Sequence, residues 1–212
     1  MTTPAPAVDQ VGVYFDALAQ RSEAGGSAAP GTDAARYARH QSDAAAIMGD
    51  VAGAAATPVP DGVDVCDGDG GCVSFTDVVT DQAGLVSTFA IGGQPLAGRI
   101  VGSGATVEQD GISVRVTSAY ESTAGELLVV VEFSSGIGVG VELFGFASVV
   151  VGAGAGGIEA MGAWGMTSVP GFGTARQLLA FPAASPGGRL LISGLRDDGV
   201  DVAFDVGIPE PD

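Results

Sequence analysis

The chain has 212 residues, with 25 acidic residues, 8 Arg, no Lys and no Asn, for a net charge of −17. That charge excludes a binder of phosphate backbones or anionic lipid surfaces, and the missing Asn excludes an N-glycosylation acceptor. One His and two Cys nearly exclude a Cys/His zinc centre, while 46% apolar residues are enough to build a core.

Gly supplies 35 residues, more than twice the roughly 7% of average usage. Abundant Gly, Ala, Arg and Pro without Lys or Asn is what GC-rich codons produce, as in a GC-rich bacterium. Residues 1–7 are Pro/Ala/Thr-rich and uncharged, and read as a flexible lead. They have neither the basic nor the apolar region of a signal peptide. This leaves a cytoplasmic protein or an exported one whose signal has been removed.

Residues 8–21 predict a first helix, with Val8, Val11, Phe15 and Leu18 on one face and Tyr14 beside them. Gly25-Gly26-Ser27 stops it. A second helix is predicted from an N-cap at Thr32, with Asp33 in its first turn, to Met48. Tyr37, Gln41, Ala44 and Met48 share a face, and an Ala/Gly/Pro run to Pro60 ends the helix.

From Val63 the period changes to two. Strands are expected at 63–65, 72–78 and 85–91, with turns at Asp67–Gly71, Asp81–Gly84 and Gly92-Gly93. Two helices and this meander predict a small α+β unit over 8–101. Residues 101–105 read as a linker. The second half of the chain reads as all strand: 112–117, the apolar run Leu127–Phe133, and segments near 139–144, 146–151, 157–163, 175–181, 188–193 and 200–206. Their spacing predicts an immunoglobulin-like β-sandwich over 105–209, without the Cys–Trp–Cys signature of antibody domains. The acidic charge is spread evenly over the two halves.

Cys66 and Cys72 flank Asp-Gly-Asp-Gly-Gly across a tight turn, a spacing that suits a disulfide staple in an oxidising compartment. Asp67 and Asp69 invite a calcium loop, but its required oxygen ligands fall on Gly71 and Val78, so no metal is expected. Gly152 to Gly157 lacks the following helix of a dinucleotide loop, and no cofactor is expected. His40, the only histidine, has no nucleophile motif beside it and reads as a surface or edge residue. Residues 143–158 carry no charge but are too short to span a bilayer, and read as two strands joined by a Gly-rich turn.

Two resemblances add to this. The helix Val11–Ala19 and the strand pair Val73–Phe89 resemble an NTF2-like (SnoaL-like) domain. That resemblance implies an α+β fold, two helices on a small antiparallel sheet, with a cone-shaped pocket; Tyr14, Asp16, Tyr37 and His40 are the candidate pocket residues. The run Val169–Pro182 resembles the DUF4352-like immunoglobulin-like domains of bacterial secreted proteins and lipoproteins. It implies an envelope-associated domain with no chemistry of its own.

The leading expectation is a non-enzymatic interaction or accessory protein of the cell envelope or exterior, with a protein partner or self-assembly and no nucleic acid. Phe144, Phe146, Trp164 and Phe172 are its candidate surface. A structural subunit of a virion or surface assembly is the second reading. A small-ligand binder or enzyme using the cone is the third.

Overall fold

A computed structural model describes residues 9–50, 53–152 and 156–211. The expected lead at 1–7 and the centre of the 152–157 Gly run lie outside these described residues.

The first helix, α1 (Gln10–Ala19), starts on Asp9, whose carboxylate accepts from the Val11 and Gly12 N–H groups. The second, α2 (Asp33–Met48), starts on Thr32 as predicted and ends on Gly49 in the left-handed region (φ 67°). These caps satisfy backbone groups that helix ends otherwise leave unpaired.

A five-stranded antiparallel meander comes next: β1 (Ala55–Val59), β2 (Gly62–Cys66), β3 (Cys72–Thr80), β4 (Val86–Ile91) and β5 (Gln94–Pro95), paired in chain order. The Ala/Pro-rich β1 lies in the run that the sequence suggests merely ends a helix. It is held as an edge strand along β2, from Ala55 opposite Cys66 to Val59 opposite Gly62.

The remaining strands form two antiparallel sheets. They are β6 (Ile100–Val101), β7 (Thr106–Gln109), β8 (Ile112–Glu121), β9 (Glu126–Ser135), β10 (Val141–Leu143), β11 (Val149–Val151), β12 (Ile158–Glu159), β13 (Gly162–Gly165), β14 (Ser168–Val169), β15 (Thr174–Pro182), β16 (Arg189–Arg196) and β17 (Asp201–Gly207). One sheet runs β13-β15-β9-β8-β6, with β7 also on β8. The other runs β12-β11-β16-β10-β14, with β17 also on β16. Both β10 and β11 pair with β16, and the 3₁₀ turn Gly145–Ala147 interrupts what would otherwise be one strand.

These two sheets face each other as a β-sandwich. Ile112, Val114, Val116, Leu127, Val129, Val131 and Phe133 of one meet Leu190, Ile192, Val202, Phe204 and Val206 of the other. Val101, the first residue of the expected linker, and Ile100 before it pair with Ala119 and Tyr120 of β8.

The expectation of an NTF2-like α+β domain is overturned. Seventeen strands in three antiparallel sheets stand against two α-helices among the described residues, so the molecule is mainly β. The helices do not roof a cone. Instead α2 lies between the meander and the sandwich, touching β4 on one side and β8, β9 and β15 on the other.

Two features of the sandwich sheet make this burial consistent with its sequence. Along β9, Leu127, Val129, Val131 and Phe133 face the sandwich interior, while Leu128 and Val130 pack toward the helices. A strand covered on both faces reads as a continuous apolar run, as Leu127–Phe133 does. On β8 the register shifts between Val116 and Ser118. This bulge resets the alternation, so Ala119 joins the sandwich interior while Tyr120 joins the helix side. Helix α2 in turn buries Ala34, Tyr37 and Ala38 toward the meander and Ala44 toward the sandwich. Its terminal Met48 is left exposed.

Candidate functional site

The four residues expected to line a cone do not converge on a cavity. The Tyr14 hydroxyl donates to the Ala34 carbonyl at 2.8 Å, tying α1 to the start of α2. Burial pushes its pKa up, as it does for Tyr37. Tyr37 lies in a ring cluster, 5.5 Å from Phe89 and 5.1 Å from Tyr120, and Phe15 lies 5.1 Å from Phe75. These rings fill the space under the meander. Asp16 points away, exposed on α1.

His40 is not at the surface. It is fully buried, with Nδ1 2.9 Å from Ser118 Oγ and its ring 5.7 Å from that of Tyr120. Nε2 has no hydrogen-bond partner among the described residues. Burial holds the imidazole neutral, pushing its pKa down to about 4.

Where α2 meets the sandwich, an ion network closes the contact. Arg115, Glu132 and Arg176 sit opposite one another on three adjacent strands. Arg115 reaches Glu132 at 2.9 Å, and Arg176 reaches Glu132 at 3.0 Å and Asp43 of α2 at 2.9 Å. Burial raises the Asp43 pKa, against the lowering pull of Arg176 and Arg39. A cleft of about 580 Å³ opens beside this network, walled by Ile47, Gly165 and Met166.

Cys66 and Cys72 stand directly opposite in the β2–β3 register and are joined as a disulfide. Among the described residues no cluster of His, Cys, Asp and Glu could hold a metal ion. No helix among them is long and apolar enough to cross a membrane.

Of the four aromatic residues expected to form an interaction surface, three come together. Phe144 and Phe146, at the 3₁₀ turn, and Trp164 on β13 line one groove of about 310 Å³. Phe146 is 67% exposed and Trp164 44%. Phe172, 77% exposed, stands apart against Gly138 in the β14–β15 loop.

A residue not anticipated from the sequence completes the groove. Gln177 of β15 also lines it, yet is only 2% exposed. Its Nε2 donates to the Met166 carbonyl at 2.8 Å, and its Oε1 has no hydrogen-bond partner among the described residues. The available signal was an amide in the inward-facing series Ala175, Gln177, Leu179, Phe181 of an otherwise apolar strand.

No family model and no curated protein matches the chain. A solved structure of the GAE domain of yeast GGA1 matches at 11% identity, covering 50% of this chain and 97% of that chain, with a TM-score of 0.35. A likeness that low assigns no function. The fold and site define a β-sandwich protein with a disulfide-stapled hairpin and an exposed aromatic groove.

Proposed function

We propose that the chain is a non-enzymatic interaction module, immunoglobulin-like in its sandwich, that works in the cell envelope or outside the cell. The observation that carries this reading is the gathering of Phe144, Phe146 and Trp164 around one solvent-facing groove. Exposed aromatic side chains with shaped apolar space between them are the usual anchors of protein interfaces. The Cys66–Cys72 disulfide supports an oxidising location. The titratable groups described above support a passive role: the tyrosine hydroxyls and His40 are buried in structural contacts, and the carboxylates beside the cleft are paired with arginines.

The test is made in the native host. A photo-crosslinking residue at position 146 is expected to trap one defined protein, and Trp164→Ser is expected to abolish the adduct. Thiol trapping is expected to find Cys66 and Cys72 oxidised. Free thiols would overturn the location, and the absence of any adduct would overturn the interaction role.

A further inference from the structure

The sheet edge beside the groove is unguarded. Strand β13 ends its sheet, pairing with β15 along one side, from Gly162 opposite Ala180 to Gly165 opposite Gln177. Natural sheet edges are usually protected by charges, Pro or bulges, because their free N–H and C=O groups template another strand. The segment Met161-Gly162-Ala163-Trp164-Gly165-Met166 carries none of these in a chain with 25 acidic residues. Met161, Trp164 and Met166 are all exposed.

The groove lies along this edge, and its lining has one unmet polar demand. Gln177 is nearly fully buried with its orientation fixed by the bond to Met166, which leaves Oε1 as an acceptor without a donor. Gly145 packs directly over that oxygen: a Cβ at this position would lie 3.0 Å from Oε1 and 3.0 Å from the Ala163 Cβ, so the oxygen is itself buried.

Residues across β13 point two ways. Ala163 pairs with Leu179 of the sandwich interior, while Trp164 pairs with Leu178 on the helix side. Gly165 lines both the aromatic groove and the larger cleft that holds Asp43 and Glu132. A strand laid along β13 would therefore send alternate side chains toward the apolar groove beside Ala163 and toward the cleft, where Asp43 and Glu132 are both paired with Arg176.

We propose that β13 is a docking edge for an extended segment of a positively charged partner protein. The segment adds antiparallel or parallel to β13 and fills the Phe144–Phe146–Trp164 groove with an apolar side chain. The charge of −17 without a single Lys favours a basic partner and opposes a second copy of the same chain. This inference rests on the interaction reading above and specifies its mode of binding.

The test uses the purified chain and a synthetic blocked peptide that alternates Lys with Val and Phe. Amide NMR is expected to show saturable shifts centred on residues 161–166. A peptide with the same side chains but N-methylated backbone amides on one edge is expected to bind at least about tenfold more weakly, since strand addition relies on main-chain hydrogen bonds. Trp164→Ser, at a ring that is 44% exposed, is expected to weaken the unmodified peptide by a similar factor without lowering the thermal midpoint, which separates a lost contact from a damaged fold.

Equal binding of the two peptides would overturn strand addition. Shifts confined to other sheet edges would overturn the site. A Trp164-dependent dimer in sedimentation equilibrium would overturn the choice of partner. A cross-linked adduct at position 146 together with peptide-insensitive 161–166 amides would remove this mode of binding and leave the interaction reading standing.

Discussion

His40 Nδ1 lies 2.9 Å from Ser118 Oγ, and this contact joins α2 to β8 across 78 residues of sequence. It is a side-chain link between the helical layer and the sandwich, formed where a bulge has turned the β8 alternation. It makes the seam between them sensitive to acid.

An imidazole whose folded pKa lies below its unfolded value of 6.5 gives its full contribution above that value. The contribution is lost as the pH falls toward about 4, because only the unfolded chain takes up the proton. A displacement of this size corresponds to about 3 kcal/mol for a fully buried group. Asp43, with its raised pKa, works in the opposite sense. Urea midpoints measured from pH 7 to 4 are expected to fall more steeply for the native chain than for His40→Gln. Parallel profiles would show that His40 does not drive the loss.

The Asp43–Arg176 pair closes the same seam from its rim. The Arg176 side chain is 43% exposed, so its coupling to Asp43 is expected to be about 0.5–1 kcal/mol and to shrink with salt. A double-mutant cycle with Asp43→Asn and Arg176→Met, run at low and high ionic strength, measures it. A coupling that does not respond to salt would contradict the ion-pair assignment.

Tyr14→Phe is expected to cost about 1–2 kcal/mol, because the Ala34 carbonyl loses the donor held at 2.8 Å and remains buried. Chemical denaturation checks the value. An unchanged midpoint would mean that the hydroxyl contributes nothing to the α1–α2 junction.

Replacing Cys66 and Cys72 together by Ser is expected to cost about 2 kcal/mol, the chain-entropy value for a short closed loop. Hydrogen exchange is expected to accelerate chiefly in β2 and β3. Uniform acceleration across the sandwich would show that the hairpin is needed for the whole fold.

Local features were legible where a few neighbouring residues decide the outcome. Thr32 caps α2, Gly49 ends it, and Asp81 to Gly84 turns the chain between β3 and β4. The Cys pair could be read from spacing because a turn of five residues sets two strands opposite each other. Strand β1 was not legible, since Ala-Ala-Thr-Pro-Val has no alternation and is a strand only because β2 offers it a ladder.

Of the candidate site, the aromatic residues at 144, 146 and 164 could be named from their chemistry, but their convergence could not. It requires β13 to cross to the opposite sheet from β12 and β14 while the 3₁₀ turn breaks the strand between β10 and β11. The lone histidine looked peripheral because its partner is 78 residues away.

By itself the sequence determined the strand-rich second half, the two helices, the hairpin staple and a strongly acidic surface, because periodicity, caps, turn residues and charge act over short range. Only the tertiary structure decided that α2 is an inner layer between the meander and the sandwich. That depends on the β8 bulge and the two-faced burial of β9, where a shift of one residue exchanges the faces on which side chains meet.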